Sequence, residues 1–152
     1  RTTMIVGHPG EGKKDFEELL DFVEEARFER LGAFRYSEEE GTYGAENFKD
    51  SISAKVKQER LDALMTLQSG ISLAYNQSRV GSELKVIVDD FNDGVFVCRS
   101  EFESPEVDGE ILVKYDSSAV ADVDPYSLIG EFITVRVIGA DEYDLIAEIL
   151  EI

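Results

Sequence analysis

The spacing of hydrophobic residues along the first 50 positions alternates between strand-like and helical patterns. Thr2–Val6 is a short apolar run rich in β-favouring residues, and Gly7-His8-Pro9-Gly10 closes it. Such a run with Gly and Pro punctuation predicts a buried parallel strand. Apolar residues at helical spacing then predict a helix over about Lys14–Arg27, and Leu31–Tyr36 predicts a second strand. Strand, helix and strand in about 36 residues predict one βαβ crossover, the repeat of an α/β barrel or open sheet.

A single βαβ unit leaves one face of its two strands without a cover. Because parallel strands are normally covered on both faces, this unit requires partner strands. Arg1 leads directly into a core strand. We therefore expect residues 1–50 to be the C-terminal part of a truncated α/β domain. A polar loop follows over 37–50, and an apolar stripe at helical spacing predicts a linker helix over residues 51–75.

The pattern changes to period two after Gly81, which is typical of half-buried strands. Five short strands are predicted, at Leu84–Val88, Gly94–Arg99, Gly109–Val113, Phe132–Ile138 and Leu145–Ile149. Five strands in about 70 residues predict a small antiparallel barrel of the OB or SH3-like sort over residues 76–152. The predicted fold class is therefore α/β followed by all-β.

The negative charge is concentrated in the predicted barrel. The chain has a formal net charge of −18, and residues 76–152 hold 5 Lys and Arg against 18 Asp and Glu, a net charge of −13. Such a surface repels phosphate backbones and attracts basic partners. The alternative is an acidic surface that serves solubility alone.

The lone cysteine and the hydropathy exclude several classes of protein. Cys98 cannot form an internal disulfide or hold a metal cluster by itself, and we expect it to be a small buried hydrophobe. A reducing, cytoplasmic compartment is expected. The sequence contains no run of 18 apolar residues, so no membrane span is expected. We also expect no signal peptide after Arg1.

Four groups of motifs resemble one enzyme family, in the order that the family shows them. Thr2–Glu11 with Asp15-Phe16 resembles the fifth strand of the radical-SAM methylthiotransferases, and Phe34–Thr42 resembles their sixth. The linker motifs, which resemble the helix before the family's TRAM domain, are Val56–Arg60, Leu64–Gln68 and Asn76-Gln77. Pro105–Gly109 and Ala140–Leu145 resemble the TRAM domain of the RimO-type members, which modify a ribosomal protein. His8 and Gly12-Lys13-Lys14 depart from the family pattern.

The resemblance implies an enzyme of which this chain is a C-terminal part. The parent would use S-adenosylmethionine and two 4Fe-4S clusters to methylthiolate an aspartate β-carbon of ribosomal protein S-twelve by radical chemistry. The cluster cysteines are absent from this sequence, so we expect no catalytic residue, no metal ligand and no activity in the chain alone. The resemblance implies that the residues on the S-adenosylmethionine side of the barrel are Ile5, Gly7, Glu11, Phe34 and Tyr36. Helix capping by Glu11 is the alternative to ligand binding, and it is favoured. His8 is expected to be structural or solvated.

The acidic loops of the predicted barrel are candidates for docking a substrate protein. We expect the docking residues to be Asp89, Asp90, Asp93, Glu106 and Asp108. The expected partner is the basic small-subunit ribosomal protein, free or on the ribosome, and RNA is less favoured because of the charge. Two other functions stay open, a fragment of a tRNA methylthiotransferase and a stand-alone OB-like binding module without catalysis. A purely turn-shaping role for Pro105–Gly109 also stays open.

Overall fold

A computed structural model describes residues 1–116 and 123–152 of the chain. The chain divides into two compact units, Arg1–Ser72 and Leu73–Ile152. The division that the sequence suggests, with a linker over residues 51–75, stays a prediction. No helix in the two described ranges combines the length and the apolarity that crossing a membrane requires.

The first unit contains the predicted βαβ crossover. Its elements are β1 (Thr2–Val6), α1 (Lys13–Ala26), β2 (Leu31–Arg35), α2 (Tyr43–Asn47) and the first part of α3, which runs from Ala54 to Ser78. Strands β1 and β2 pair in parallel, with Thr2 opposite Leu31 and Val6 opposite Arg35. The strand-helix-strand order read from the apolar spacing is confirmed.

Only one face of the β1–β2 pair is covered within this unit. Val6 and Leu31 pack with Val23 of α1 and Leu64 of α3 in the core. The opposite face carries Ile5 and Phe34, which lie opposite each other in register and are 57% and 63% exposed. Alternation of side chains along a strand forces this division, because successive residues point to opposite faces.

The second unit is a closed five-stranded barrel. Its elements are β3 (Glu83–Asn92), β4 (Val95–Arg99), β5 (Ile111–Lys114), a 3-10 turn (Pro125–Leu128), β6 (Phe132–Ala140) and β7 (Leu145–Glu151). The strand order around the barrel is β3-β4-β5-β7-β6, and β3 pairs with β6 to close it. This OB-like barrel confirms the fold class expected for the region. Its core is formed by Val86, Val88, Phe96, Cys98, Ile111, Val113, Leu128, Ile133, Val135, Val137, Leu145 and Ala147.

The prediction of a wholly antiparallel barrel is wrong for one strand pair. Strands β5 and β7 run parallel, with Ile111 opposite Leu145 and Val113 opposite Ala147. The reason is geometric, since directions cannot alternate around a closed ring of five strands without one parallel contact. A mixed barrel is therefore required once the sheet closes.

The predicted loop over Asp89–Asp93 is also wrong in its bounds. Strand β3 continues to Asn92, and a β-bulge at Asp89 lets the pairing shift between Val88 and Asp90. The turn itself consists of Asp93 and Gly94, which both have a positive φ. Two left-handed residues form the tight connection that matches the twist of a hairpin. Asp89 and Asp90, which were predicted to lie in a loop, therefore lie on a bulged strand.

We predict that a chain truncated to residues 73–152 folds by itself. It retains Asn76 and Arg79, whose hydrogen-bond partners lie in the barrel loops. A dispersed ¹H–¹⁵N NMR spectrum is the expected result. A chain beginning at Val80 is the matched control and should be less stable, because it lacks both contacts. A collapsed spectrum for residues 73–152 would mean that the strands need the first unit.

Candidate functional site

A cavity of about 1050 Å³ opens on one side of the barrel. Its floor is formed by β3 and β4, one wall by the β4–β5 loop, and the other wall by the turn between β6 and β7. We call it the acidic cleft, because its lining includes the carboxylates of Asp89, Asp90, Glu103, Glu106, Asp108, Glu110 and Asp144. Arg99 is the basic residue among the lining residues.

The floor carboxylates are fixed by neighbouring donors. Asp89, at the bulge, pairs with Arg99, whose Nε lies 3.1 Å from Oδ1 and 2.9 Å from Oδ2. Asp90 accepts the backbone N–H of Phe91 at 2.7 Å and the side-chain amide of Asn92 at 2.6 Å. The bulge thus places two consecutive carboxylates at the edge of the same cavity, where a regular strand would separate them.

The loop wall combines a structural carboxylate with exposed ones. Asp108 accepts the backbone N–H of Ser104 at 2.7 Å, and its own N–H bonds to the Ser104 carbonyl at 3.2 Å. Its side chain therefore shapes the turn, which was the alternative role considered for this segment. Glu106 and Glu110 are exposed and form no ion pair with any residue in the described ranges. Their charges face solvent at the cleft.

The two walls meet at Gly109. A Cβ atom on this residue would overlap the backbone carbonyl of Tyr143 in the β6–β7 turn. Next to this contact, the backbone N–H of Glu110 donates to Asp144 Oδ1 at 2.7 Å, and the N–H of Leu145 donates to the Glu110 carbonyl at 2.9 Å. The Pro105–Gly109 motif and the 140–145 motif are therefore two halves of one contact.

The β6–β7 turn is organised by Asp141. Its Oδ1 accepts the backbone N–H groups of Asp144 at 2.7 Å and Tyr143 at 2.8 Å. These two donors favour the charged carboxylate and hold the pKa of Asp141 below its ordinary value. The turn thus favours the charged form of this carboxylate.

A buried ion pair lies below the loop wall. Arg79 Nη1 donates to Glu103 Oε1 at 2.6 Å, and the two side chains are 8% and 3% exposed. The other carboxylate oxygen of Glu103 accepts the backbone N–H and the hydroxyl of Ser100. Burial raises the pKa of Glu103, but the hydrogen bonds from Ser100 and Arg79 and the charge of Arg79 outweigh it, so this pKa lies below its ordinary value. This pair was not predicted from the sequence, since 24 residues separate its members and no local pattern joins them.

In the first unit, Glu11 is tied to the turn after β1. Its carboxylate accepts the backbone N–H of Gly7, at 3.1 Å and 3.0 Å for the two oxygens, and pairs with Arg60 of α3. The favoured expectation of helix capping by Glu11 is wrong, because α1 begins after Gly12, whose N–H donates to Asp15 at 2.7 Å. Glu11 instead satisfies a backbone donor at the strand end and the partly buried guanidinium of Arg60.

Gly7 allows a lysine side chain to cross the same turn. Gly7 has a φ of +76°, and a Cβ atom there would lie 2.5 Å from Lys57 Cγ. Lys57 is buried, pairs with Asp50, and donates to the Tyr36 carbonyl at 3.1 Å. Glycine is thus required by conformation and by space.

Two of the five residues expected on the cofactor side line one cavity. Phe34 and Tyr36 line a cavity of about 590 Å³ together with Asp50 and Lys57. Ile5 shares an exposed face with Phe34. The Tyr36 ring contacts His8, with centroids 5.0 Å apart, so the histidine packs against an aromatic ring as a structural residue would.

Both units have relatives among known proteins. Residues 80–150 match the model of the TRAM domain family. The chain is 51% identical over 150 residues to a protein of Phocaeicola vulgatus, 50% identical over 150 residues to one of Bacteroides fragilis, and 46% identical over 151 residues to one of Cytophaga hutchinsonii. All three are named ribosomal protein uS12 methylthiotransferase RimO. The chain is therefore similar to RimO proteins over nearly its whole length. Each alignment covers 99% of this chain and 33% of the relative, so the chain spans about a third of their length and matches their C-terminal region.

Within this chain, the predicted docking residues separate into two places. Asp89, Asp90, Glu106 and Asp108 line the acidic cleft, whereas Asp93 belongs to the hairpin turn and is not among the lining residues. The bulge accounts for the difference, because it lies at Asp89 and Asp90 and directs them toward the cleft. The docking role of these residues stays a proposal.

Cys98 lines the cleft from below but is not a reactive thiol. Its side chain is buried, as expected from the sequence. Burial, and secondarily the charge of Asp89, raises the pKa of Cys98 to about 12. A thiol with this pKa is protonated at neutral pH and is a poor nucleophile and metal ligand.

The residues present do not fit an iron–sulfur cluster. In the ranges 1–116 and 123–152, no group of three or more His, Cys, Asp or Glu side chains is arranged to hold a metal ion. Cluster ligation requires several thiolates, and the sequence holds one cysteine.

Proposed function

We propose that the protein to which this chain belongs methylthiolates ribosomal protein uS12, and that the acidic cleft of its TRAM domain docks this basic protein. The observation that carries the docking proposal is the convergence of Asp89, Asp90, Glu106 and Asp108 on one cavity. These four positions lie on a bulged strand and on a separate loop, and the barrel brings them together. The activity is proposed from the name that the relatives share.

The charges of the cleft fit a cationic peptide surface. Asp89 and Glu103 are partly neutralised by Arg99 and Arg79, but Glu106 and Glu110 are exposed at the loop wall. A Lys or Arg side chain that enters the cavity would meet oxygens whose positions are already set by backbone donors. An RNA phosphate would be repelled by the same field. The arrangement therefore supports protein docking over tRNA binding.

The cofactor part of the proposal rests on the first unit. The parent would use S-adenosylmethionine with 4Fe-4S clusters, which supply the radical chemistry when bound. Ile5 and Phe34 present adjoining apolar side chains against which an adenine ring would pack, and Gly7 and Tyr36 lie at the ends of the same strands. Glu11 would act indirectly, since its carboxylate holds the Gly7 N–H and Arg60.

We predict that neutralising the proposed docking residues slows association with uS12. Asp89, Asp90, Asp93, Glu106 and Asp108 are changed together to Asn or Gln. Because charges at the rim of an interface mainly steer encounter, the association rate constant should fall about tenfold at low salt and depend less on ionic strength. Asn at position 108 retains an acceptor for the Ser104 N–H, so the turn should persist. Surface plasmon resonance at two salt concentrations measures both quantities.

A matched variant controls for net charge. It removes five charges outside the cleft lining, at Glu83, Asp124, Glu131, Glu148 and Glu151. At an ionic strength of about 0.15 M its association rate should stay within about threefold of the original, because charges far from the cleft are then screened over a Debye length of about 8 Å. Equal association rates for the two five-fold variants would contradict docking at the cleft and leave the acidity as a solubility feature.

We predict that the 152-residue chain alone does not cleave S-adenosylmethionine. After anaerobic reconstitution with iron and sulfide, it should release no 5′-deoxyadenosine, because one buried cysteine cannot ligate a cluster. Chromatography of the reaction mixture measures the product. The full-length relative from Phocaeicola vulgatus, treated identically, is the positive control. Release of 5′-deoxyadenosine by the chain itself would show this prediction wrong.

A further inference from the structure

The end of α3 contacts both walls of the acidic cleft. Asn76, whose side chain is fully buried, donates from Nδ2 to the Asp141 carbonyl in the β6–β7 turn at 3.0 Å. Three residues later, Arg79 donates to Glu103 in the β4–β5 loop. Residues three apart lie on the same side of a helical turn, so one short segment reaches two separate loops.

Arg79 is held in place on two faces. Its guanidinium carbon lies 5.6 Å from the ring centroid of Tyr75 and 5.6 Å from that of Phe102. Phe102 belongs to the loop wall and Tyr75 to the helix. The stack therefore connects the loop wall to the helix, in addition to the hydrogen bond between Arg79 and Glu103. Planar guanidinium groups suit such stacking together with directed hydrogen bonds. A buried pair of this kind is weak evidence for added stability, but it fixes geometry.

The contacts at Asn76 and Arg79 complement the direct contact between the walls. Gly109 and Glu110 of the loop wall meet the turn directly, through the N–H of Glu110 and Asp144 Oδ1. Glu103 of the same loop and Asp141 of the same turn are both bonded to the helix end. The loop between β4 and β5 contains no helix or strand. Its position over the cleft therefore depends on these attachments.

We propose that Asn76 and Arg79 are positioning residues that set the spacing of the two walls of the acidic cleft. This inference rests on the proposed docking function, because it names residues that control the geometry of that site without lining it. Neither residue is among the lining residues of the cavity. Loss of the hydrogen bond of either Asn76 or Arg79 would keep the carboxylates of the cleft but change the distance between its two walls.

Amide hydrogen exchange in the 152-residue chain tests the positioning role. Asn76→Ala should raise the exchange rates of the Asp108 and Asp144 amides about tenfold, the effect of losing one ordinary hydrogen bond on a local opening equilibrium. The Val135 amide, in the barrel core, should be unchanged. Gln77→Ala is the matched control, since Gln77 is exposed on the same helical turn. Arg79→Lys keeps the charge but not the planar stack, and it should raise the exchange rate of Asp108 more than that of Asp144.

Binding of nona-arginine, measured by isothermal titration calorimetry, separates the two proposals. If the cleft docks cations, Asn76→Ala should weaken peptide binding about fivefold at a temperature well below the melting transition of the variant, and Gln77→Ala should not. If the original chain does not bind the peptide, the docking proposal fails, while the exchange rates still decide the positioning role. Unchanged exchange at both walls in Asn76→Ala, or an equal rise at Val135, would overturn the positioning inference.

Discussion

Gly109→Ala should destabilise the barrel by about 3 kcal/mol or more. A methyl group at this position would overlap the backbone carbonyl of Tyr143. The overlap cannot be relieved by a rotamer change, because both partners are backbone and the flanking hydrogen bonds of Glu110 hold the two segments together. Guanidinium unfolding, followed through barrel amide signals, measures the change in the free energy of unfolding.

Gly139→Ala is the matched control for this substitution. Gly139 lies on β6, before the same turn, and a Cβ atom there would meet Ile146 Cβ at 3.5 Å, an ordinary contact. The free energy of unfolding should therefore change by no more than about 1 kcal/mol. Equal stabilities for the two variants would mean that the two walls are not in backbone contact at Gly109.

Glu103→Gln should cost the barrel about 3–5 kcal/mol, the range observed when one partner of a buried ion pair is removed. The substitution keeps the shape of the side chain but leaves the Arg79 guanidinium buried without its counter-charge. Glu83→Gln is the control, because its ion pair with Arg136 is exposed and should contribute less than about 1 kcal/mol. A loss below 1 kcal/mol for Glu103→Gln would show that water reaches the pair.

The lowered pKa of Glu103 also determines how the stability of the barrel should depend on pH. The pKa of Glu103 is lower in the folded chain than its ordinary value. Its contribution to stability is therefore present above the ordinary pKa and is lost as the pH falls through the lowered, folded-state pKa. The original chain should lose stability on acidification in this window. Glu103→Gln should lose less over the same window, which urea unfolding at several pH values would measure.

The sequence predicted most strands and helices well, because each element has its own local spacing of apolar residues. Period-two spacing located β4 and β6 almost to their ends, and the apolar run at Thr2–Val6 gave the first strand. Closure of the barrel was beyond local pattern, so the parallel contact of β5 with β7 was not predicted. The bulge at Asp89 depends on the register with β4, which a single strand does not specify.

The sequence predicted most of the acidic residues of the candidate site, but not the contacts that hold them in place. The Asp-Gly pair at 108–109 indicated a turn, and the turn is there. That Gly109 faces the Tyr143 carbonyl depends on two segments 34 residues apart being pressed together, as the bond of Glu110 to Asp144 shows. The same holds for Arg79 and Glu103. From the sequence alone, a charged residue such as Arg79 that follows a helix is expected to be solvated, because its partner is far away in the chain.

The most direct test of docking at the acidic cleft is NMR mapping on the 152-residue chain titrated with purified uS12. Docking at the cleft predicts that chemical-shift changes concentrate at the amides of Asp89, Asp90, Glu106, Asp108 and Asp144, and that they weaken as salt is raised. Titration with tRNA should leave the same amides unmoved. Shift changes confined to other faces of the barrel, or a stronger response to tRNA than to uS12, would contradict the account.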